Sequence, residues 1–114
     1  MADAVIYHNP RCSTSRKTLE LLHAFGIEPE VVQYLKTPPT RAELSTMISA
    51  AGIDVRTAIR KREALYTELD LADASDDQLL NAMAEHPILI ERPFVVTSKG
   101  TRLARPVDTV REIL

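Results

Sequence analysis

The feature that most limits the possible folds is a short apolar run that stops at an asparagine–proline pair and is followed by a helical pattern. The run, Ala4–Tyr7, has the length and composition of a buried β-strand. Asn9-Pro10 interrupts it, because proline has no N–H to donate to a strand ladder. Apolar residues then recur at helical spacing: Leu19, Leu22 and Phe25. The pattern predicts a strand, a tight turn and a helix, with Cys12 in the turn.

Cys12 is predicted to be a reactive thiolate. The free N–H groups and the positive dipole end at a helix N-terminus stabilise an anion. A free cysteine is only a few per cent ionised at pH 7, and lowering its pKa by about two units takes about 2.7 kcal/mol. A lone cysteine is more often a small buried apolar residue. Here polar and cationic neighbours favour the nucleophile: Arg11, Ser13, Thr14, Ser15 and Arg16.

Length, charge and cysteine content restrict the class of protein. The 114 residues suffice for one domain, which we expect to span residues 1–114. The net charge of −2 argues against general binding to nucleic acid or anionic membranes. No apolar run approaches the roughly 20 residues of a membrane span, and Met1-Ala2-Asp3 lacks a signal-peptide pattern, which predicts a cytoplasmic protein. With one cysteine, a redox cycle needs a second thiol from another molecule.

The next segment continues a strand–helix–strand unit. Gly26 is a plausible end for the first helix. Val31–Leu35 is predicted to be a second strand, parallel to the first. Thr40 and Glu43 have the spacing of a capping box, which predicts a second helix that ends at Gly52.

The middle of the chain is predicted to be largely helical. Asp54 is expected to cap a third helical segment with a basic, solvated face: Arg56, Arg60, Lys61 and Arg62. After a polar connection, Ser75 and Gln78 form a second capping-box pattern. The buried side of the helix that follows is expected to contain Leu79, Leu80 and Met83, and Pro87 comes after its end.

The last part of the chain returns to strands. Phe94–Thr97 and Thr101–Arg105 flank the turn Ser98–Gly100, which predicts a hairpin, and Pro106 suits the first turn of a last helix. The Arg92–Pro93 bond, directly before a strand, is a candidate cis peptide. The order is therefore β-α-β, a helical block and β-β-α. This is an α/β arrangement, the thioredoxin-like fold with an inserted helical segment, with the reactive cysteine just after the first strand.

Local motifs separate the reaction classes that use a thiolate. A tyrosine phosphatase needs an arginine six positions after the cysteine, where this chain has Thr18. A dithiol oxidoreductase needs Cys-x-x-Cys, and the fourth position is Ser15. One cysteine with three scattered histidines has no zinc-ligand spacing, so no metal site is expected. A cysteine–histidine pair of the papain type remains open on spacing alone.

Three arginines are candidates for binding an oxyanion beside the sulfur: Arg60, Arg92 and Arg105. Each precedes or lies in a separate predicted element, and an isolated arginine is most often a surface residue. Arg92 precedes Pro93 and Arg105 precedes Pro106, near the ends of the last two strands. The planar guanidinium donates two parallel hydrogen bonds to an oxyanion, and charge-assisted bonds are about twice as strong as neutral ones.

Four segments together resemble the glutaredoxin-dependent arsenate reductase family: Tyr7–Arg16, Leu35–Pro39, His86–Pro93 and Arg102–Pro106. The similarity runs in order over nearly the whole chain, and its most specific element is His-Asn-Pro-x-Cys-x-x-Ser-Arg. Arg11 and Ser13, which flank the cysteine, resemble a shorter sister branch that shares the fold and the motif.

The resemblance implies a role for each matching residue. Cys12 would attack arsenate and form a cysteine–arsenic intermediate, with His8 and Ser15 activating the thiol. Arg60, Arg92 and Arg105 would bind the oxyanion and stabilise the intermediate. Glutathione, as co-substrate, would attack the adduct, and glutaredoxin would resolve the mixed disulfide and release arsenite. No bound cofactor is implied.

Two alternative functions are compatible with the same residues. A monothiol, glutathione-linked reductase of protein mixed disulfides would need the Cys-x-x-Ser form that Cys12 and Ser15 provide. A regulator that binds RNA polymerase is a weaker alternative, since the redox-sensing relatives with this fold generally carry Cys-x-x-Cys.

Overall fold

The computed structural model describes residues 4–114. Met1-Ala2-Asp3, on which the expected lack of a signal peptide rests, lie outside the described residues. The strands and α-helices are, in chain order, β1 (Ala4–His8), α1 (Ser13–Ala24), β2 (Glu30–Gln33), α2 (Arg41–Ala50), α3 (Ala64–Glu68), α4 (Asp76–Glu85), β3 (Phe94–Thr97) and β4 (Gly100–Leu103). Short 3-10 helices cover Val55–Ala58, Leu71–Asp73, Pro87–Leu89 and Val107–Ile113.

The described residues group into two compact units. The first combines the N-terminal segment up to Thr37 with Arg92–Leu114, and the second is Pro38–Glu91. The first unit contains the whole sheet, and the second contains the helical segment that the sequence places between the strand pairs. The expectation of one domain over residues 1–114 stays a prediction.

The first unit is a mixed four-stranded sheet in the order β2-β1-β3-β4. β1 is parallel to β2 and antiparallel to β3, and β3 forms an antiparallel hairpin with β4. The core contains buried side chains from the sheet, the residue directly after β4, α1 and the last 3-10 helix: Ile6, Leu22, Val95, Ala104, Val110 and Ile113. Because strand side chains alternate, His8 lies on the same face of β1 as Ile6, the face that packs on this core.

The second unit confirms both predicted capping boxes. The Thr40 hydroxyl accepts the N–H of Glu43 at the start of α2, and the Glu43 carboxylate accepts the N–H of Thr40 in return. Ser75 and Gln78 make the same reciprocal pair at the start of α4. Leu79, Leu80 and Met83 are buried, as expected.

The third helical segment is shorter than predicted. Asp54 makes no side-chain capping bond, and only Val55–Ala58 forms a 3-10 turn. The backbone then becomes extended: the Arg60 N–H donates to the Leu89 carbonyl and Ile59 forms an isolated bridge with Ile90. This pairing with residues distant in sequence removes Arg60 from the helical face on which the pattern placed it.

Smaller differences lie at the ends of elements. β2 ends at Gln33 rather than Leu35, because the Gln33 carbonyl accepts the N–H groups of Lys36 and Thr37 and closes a turn. β4 ends at Leu103 rather than Arg105, since the Arg105 N–H turns back to the Leu103 carbonyl. Phe25 lies beyond the end of α1 and is exposed, with Arg111 over its ring.

The order of elements confirms the predicted α/β fold, with a β-α-β unit, a helical segment and a β-β-helix unit. The Arg92–Pro93 and Arg105–Pro106 peptide bonds are both cis. None of the helices between residues 4 and 114 is long and apolar enough to cross a membrane.

Candidate active site

Cys12 occupies the junction between β1 and α1 that the sequence predicted. It is the residue directly before the helix, with an extended backbone. Its N–H donates to the Asn9 carbonyl at 3.0 Å, and its own carbonyl accepts the N–H of Arg16 at 3.0 Å. The residue is only 8% exposed, so a reagent reaches the sulfur from a restricted direction.

Opposing effects act on the pKa of Cys12. Burial raises the pKa, because a charged sulfur loses hydration. The backbone N–H of Ser15, the charge and hydrogen bond of Arg92, and the backbone N–H of Thr14 all lower it. The result is a pKa below the ordinary value, which is the direction that N–H groups at a helix N-terminus produce.

Two of the predicted arginines contact the thiol region. Arg92 is buried and interacts with the Cys12 sulfur. The Nη2 atom of Arg105 lies 3.8 Å from the sulfur, and its Nε atom donates to the Arg92 carbonyl at 2.8 Å. The second bond fixes the Arg105 guanidinium to the segment that carries Arg92. The two guanidinium groups thus act on one sulfur, as their positions near the strand ends predicted.

His8 and Ser15 form a buried pair beside Cys12. The His8 Nδ1 atom and the Ser15 hydroxyl are 2.6 Å apart, and the hydroxyl also accepts the Asn9 N–H at 3.0 Å. Burial, followed by the charge of Arg16, lowers the pKa of His8 and thereby favours the neutral imidazole. The sequence left this protonation state open. Ser15 acts on the thiolate through its backbone N–H, while its hydroxyl is hydrogen-bonded to His8 and Asn9.

The loop before Cys12 is held by two side chains, one from the loop itself and one from α1, for which the sequence indicated no positioning role. The Asn9 side chain accepts the Arg11 N–H at 3.0 Å, the local turn that asparagine favours. The Arg16 Nη1 atom donates to the Pro10 carbonyl at 2.8 Å, so Arg16 braces the loop as well as contributing charge. In the sequence, the Asn9-Pro10 pair indicates a turn, which is the feature that could have predicted the contact between the Asn9 side chain and the Arg11 N–H. The second contact depends on the side-chain conformation of Arg16.

Arg60, the third predicted arginine, lies in the second unit. Its Nη1 atom is 2.8 Å from a Glu63 carboxylate oxygen, and its Nε atom is 3.7 Å from Glu91. The side chain is thus flanked by carboxylates within Pro38–Glu91, and a role in the candidate site stays a prediction.

The residues around Cys12 combine a nucleophile with cationic hydrogen-bond donors. A thiolate attacks an electrophilic centre, and guanidinium groups stabilise negatively charged oxygens attached to that centre. Among residues 4–114 no cluster of three or more histidine, cysteine or acidic side chains could hold a metal ion. This combination of groups is suited to thiolate attack on an oxyanion.

The comparison with known families agrees with this arrangement. The ArsC family model matches residues 7–113, which includes the cysteine loop and both arginines at the sulfur. The chain belongs to the ArsC family. The match also covers the inserted helical segment, so it is not limited to the sheet that many thioredoxin-like proteins share.

Individual ArsC relatives are similar over nearly the whole chain. A protein of Rhizobium meliloti (strain 1021) named arsenate reductase is 60% identical over 111 residues, which cover 96% of this chain and 79% of that protein. The arsenate reductase of Escherichia coli (strain K12) is 53% identical over an alignment of 116 residues, which covers 100% of this chain and 82% of that protein. A solved structure titled arsenate reductase from Vibrio cholerae superposes with a TM-score of 0.94 at 51% identity, covering 99% of this chain and 98% of that one.

The lowered pKa of Cys12 is expected to appear in its alkylation by iodoacetamide. Because the thiolate is the reacting form, the alkylation rate increases as the pH is raised through the pKa of the thiol. At pH values below that pKa the rate is low. We expect the midpoint of the rate–pH profile to lie at lower pH in the native protein than in the protein unfolded in urea. Coincident midpoints would show that the fold does not stabilise the thiolate. The unfolded protein is the matched reference, since it contains the same single cysteine.

Proposed function

We propose that this protein reduces arsenate to arsenite, with glutathione and glutaredoxin as reductants. The observation that carries the proposal is the Cys12 thiol at the start of α1, whose pKa is lowered by backbone N–H groups and by Arg92. The similarity to proteins named arsenate reductase, at 60% and 53% identity, supports arsenate as the oxyanion.

In the first proposed step, the Cys12 thiolate attacks the arsenic atom of arsenate. A sulfur–arsenic bond forms, and one arsenate oxygen takes up protons and leaves as water. Arg92 and Arg105 donate hydrogen bonds to the remaining oxygens and balance their charge. Arsenic remains As(V) in this adduct. The 3.8 Å separation of the Arg105 Nη2 atom from the sulfur supports a binding position next to the nucleophile.

In the second proposed step, a glutathione thiolate attacks the Cys12 sulfur of the adduct. The sulfur–sulfur bond forms, the sulfur–arsenic bond breaks, and its electron pair stays on arsenic, which becomes As(III) and leaves as arsenite. The product is a mixed disulfide between Cys12 and glutathione. A glutaredoxin thiol then takes the glutathione by thiol–disulfide exchange and frees Cys12. An external thiol is required because the chain has one cysteine.

His8 and Ser15 are proposed to hold the nucleophile rather than to take its proton. Neutral His8 brings no positive charge to the thiolate, and the Ser15 hydroxyl is hydrogen-bonded to His8 and Asn9. The pair thereby fixes the first turn of α1, whose N–H at Ser15 lowers the pKa of Cys12.

Arg60 is proposed to stabilise the intermediate, as the family resemblance implies. A reducing cytoplasm is the proposed compartment, because it keeps free thiols and glutathione reduced.

A coupled assay tests the proposed function. Wild-type protein is mixed with arsenate, glutathione, glutaredoxin, glutathione reductase and NADPH, and the oxidation of NADPH is followed. We expect turnover that falls to the background rate when arsenate, glutathione or glutaredoxin is omitted singly. Background rates in the complete mixture would contradict the proposal. A second mixture omits both arsenate and glutaredoxin, because glutaredoxin itself reduces glutathionylated peptides. Turnover of such a peptide by the wild-type protein there, faster than arsenate turnover in the complete mixture, would instead identify a mixed-disulfide reductase.

A further inference from the structure

A cleft within the first unit lies next to the cysteine loop. Its volume is about 360 Å³, inside the range of about 300–1,000 Å³ that is typical of small-molecule sites. One wall is the loop of residues 8–11, and the other is formed by Gln33, Leu35 and Lys36. Neither Arg92 nor Arg105 lines the cleft, so it is distinct from the guanidinium groups at the sulfur.

The position of the cleft follows from the parallel pairing of β1 and β2. His8 and Gln33 are paired and are the last residues of these strands, so the carboxyl ends of two parallel neighbours meet here. Crevices outside the carboxyl ends of parallel strands are common ligand sites in α/β folds.

Both walls are held by hydrogen bonds. The Asn9 carbonyl accepts the Cys12 N–H at 3.0 Å, and the Gln33 carbonyl accepts the N–H groups of Lys36 and Thr37 at 2.9 Å each. These bonds make the cleft largely preformed, so a ligand would not have to order either loop on binding.

The lining is cationic and polar, with an apolar margin. Arg11 and Lys36 project from different walls, and neither makes an ion pair with a described residue. No acidic side chain is among the residues that line the cleft. Gln33 adds an amide that both donates and accepts, and Leu35 is 44% exposed. This lining suits a small molecule with more than one carboxylate and with amide groups between them.

We propose that the cleft binds the thiol co-substrate, a peptide thiol with two carboxylates, as glutathione has. Arg11 lines the cleft and immediately precedes Cys12, which does not line it, so this wall adjoins the nucleophile along the chain. Lys36 and Arg11 bind the carboxylates, and Gln33 binds the peptide amides. The thiol is thereby directed at the Cys12 sulfur of the arsenic adduct, where it forms the disulfide described above. This assignment rests on the proposed function.

Binding of S-methylglutathione tests the cleft without the reaction. This compound keeps both carboxylates but has no thiol, so it cannot reduce the adduct. We expect its addition to ¹⁵N-labelled protein to shift the amide signals of residues 9–12 and 33–36 in a saturable way, except at Pro10, which has no N–H. Lys36→Ala is expected to weaken binding about threefold and Lys36→Glu about tenfold, as for the loss and reversal of one exposed ion pair.

The matched control is Lys17, an exposed lysine of α1 that does not line the cleft. We expect Lys17→Glu to bind S-methylglutathione within about twofold of wild type. Unchanged affinity in Lys36→Glu, or shifts centred away from the two walls, would overturn the cleft assignment.

Turnover measurements separate this assignment from the proposed function. In Lys36→Glu we expect the KM for glutathione to rise about tenfold while the KM for arsenate stays within twofold. If Lys36→Glu turns over arsenate with an unchanged KM for glutathione, the cleft assignment is rejected and the proposed function is retained. Binding of S-methylglutathione at the cleft without arsenate turnover in any variant would reject arsenate as substrate and retain the thiol site.

Discussion

Cys12→Ser is expected to reduce arsenate-dependent NADPH oxidation to the background rate. A serine hydroxyl is not ionised at neutral pH, and its oxygen cannot form the disulfide bond whose formation leaves two electrons on arsenic. The variant should keep its fold, since the substitution changes one atom in a side chain that makes no capping bond. The measurement is the coupled assay, with circular dichroism to confirm that the protein is folded.

Ser13→Ala is the matched control for the Cys12 variant. Ser13 is the exposed neighbour at the first position of α1, and its side chain makes no hydrogen bond with a described residue. We expect its turnover to stay within about twofold of wild type. Turnover above background in a folded Cys12→Ser protein would assign the chemistry to another group and overturn the proposed mechanism.

Arg92→Ala is expected to lower kcat/KM for arsenate by about 10²–10³-fold, the loss typical of one donor to a developing oxyanion. Because Arg92 also lowers the pKa of Cys12, the midpoint of the alkylation profile should move to higher pH. The Arg105 Nε atom bonds to the Arg92 backbone carbonyl, so that contact does not depend on the side chain that is removed. Steady-state kinetics and iodoacetamide alkylation are measured on the same protein.

Two further variants separate charge from geometry at this position. Arg92→Lys keeps the positive charge but loses the planar pair of donors, so we expect a smaller shift in alkylation and a kcat/KM between wild type and alanine. Arg111→Ala removes an exposed arginine that pairs with Asp108 and should leave both measurements unchanged. A shifted alkylation profile with unaltered arsenate kinetics in Arg92→Ala would exclude oxyanion binding by this residue.

Features encoded within a few residues were predicted well. The capping boxes of Thr40 and Ser75 depend on contacts three residues apart, which the sequence displays directly. The same holds for Cys12 at the start of α1 and for the hairpin around Ser98–Gly100. The predicted helical segment after Asp54 is only a short 3-10 turn, because the backbone of residues 58–60 pairs with residues 89–91, and such long-range pairing overrides a local helical pattern.

The sequence by itself determined the order of strands and helices, the place of the nucleophile and the need for a second thiol. Those features follow from hydrophobic periodicity, turn residues and the count of one cysteine. Only the tertiary structure decided that burial lowers the pKa of His8, that Arg105, 93 positions from Cys12, reaches its sulfur, and that a cationic cleft lies beside the loop. The physical reason is that burial, charge proximity and cavity shape arise from side chains brought together by strand pairing, and local patterns do not record those distances.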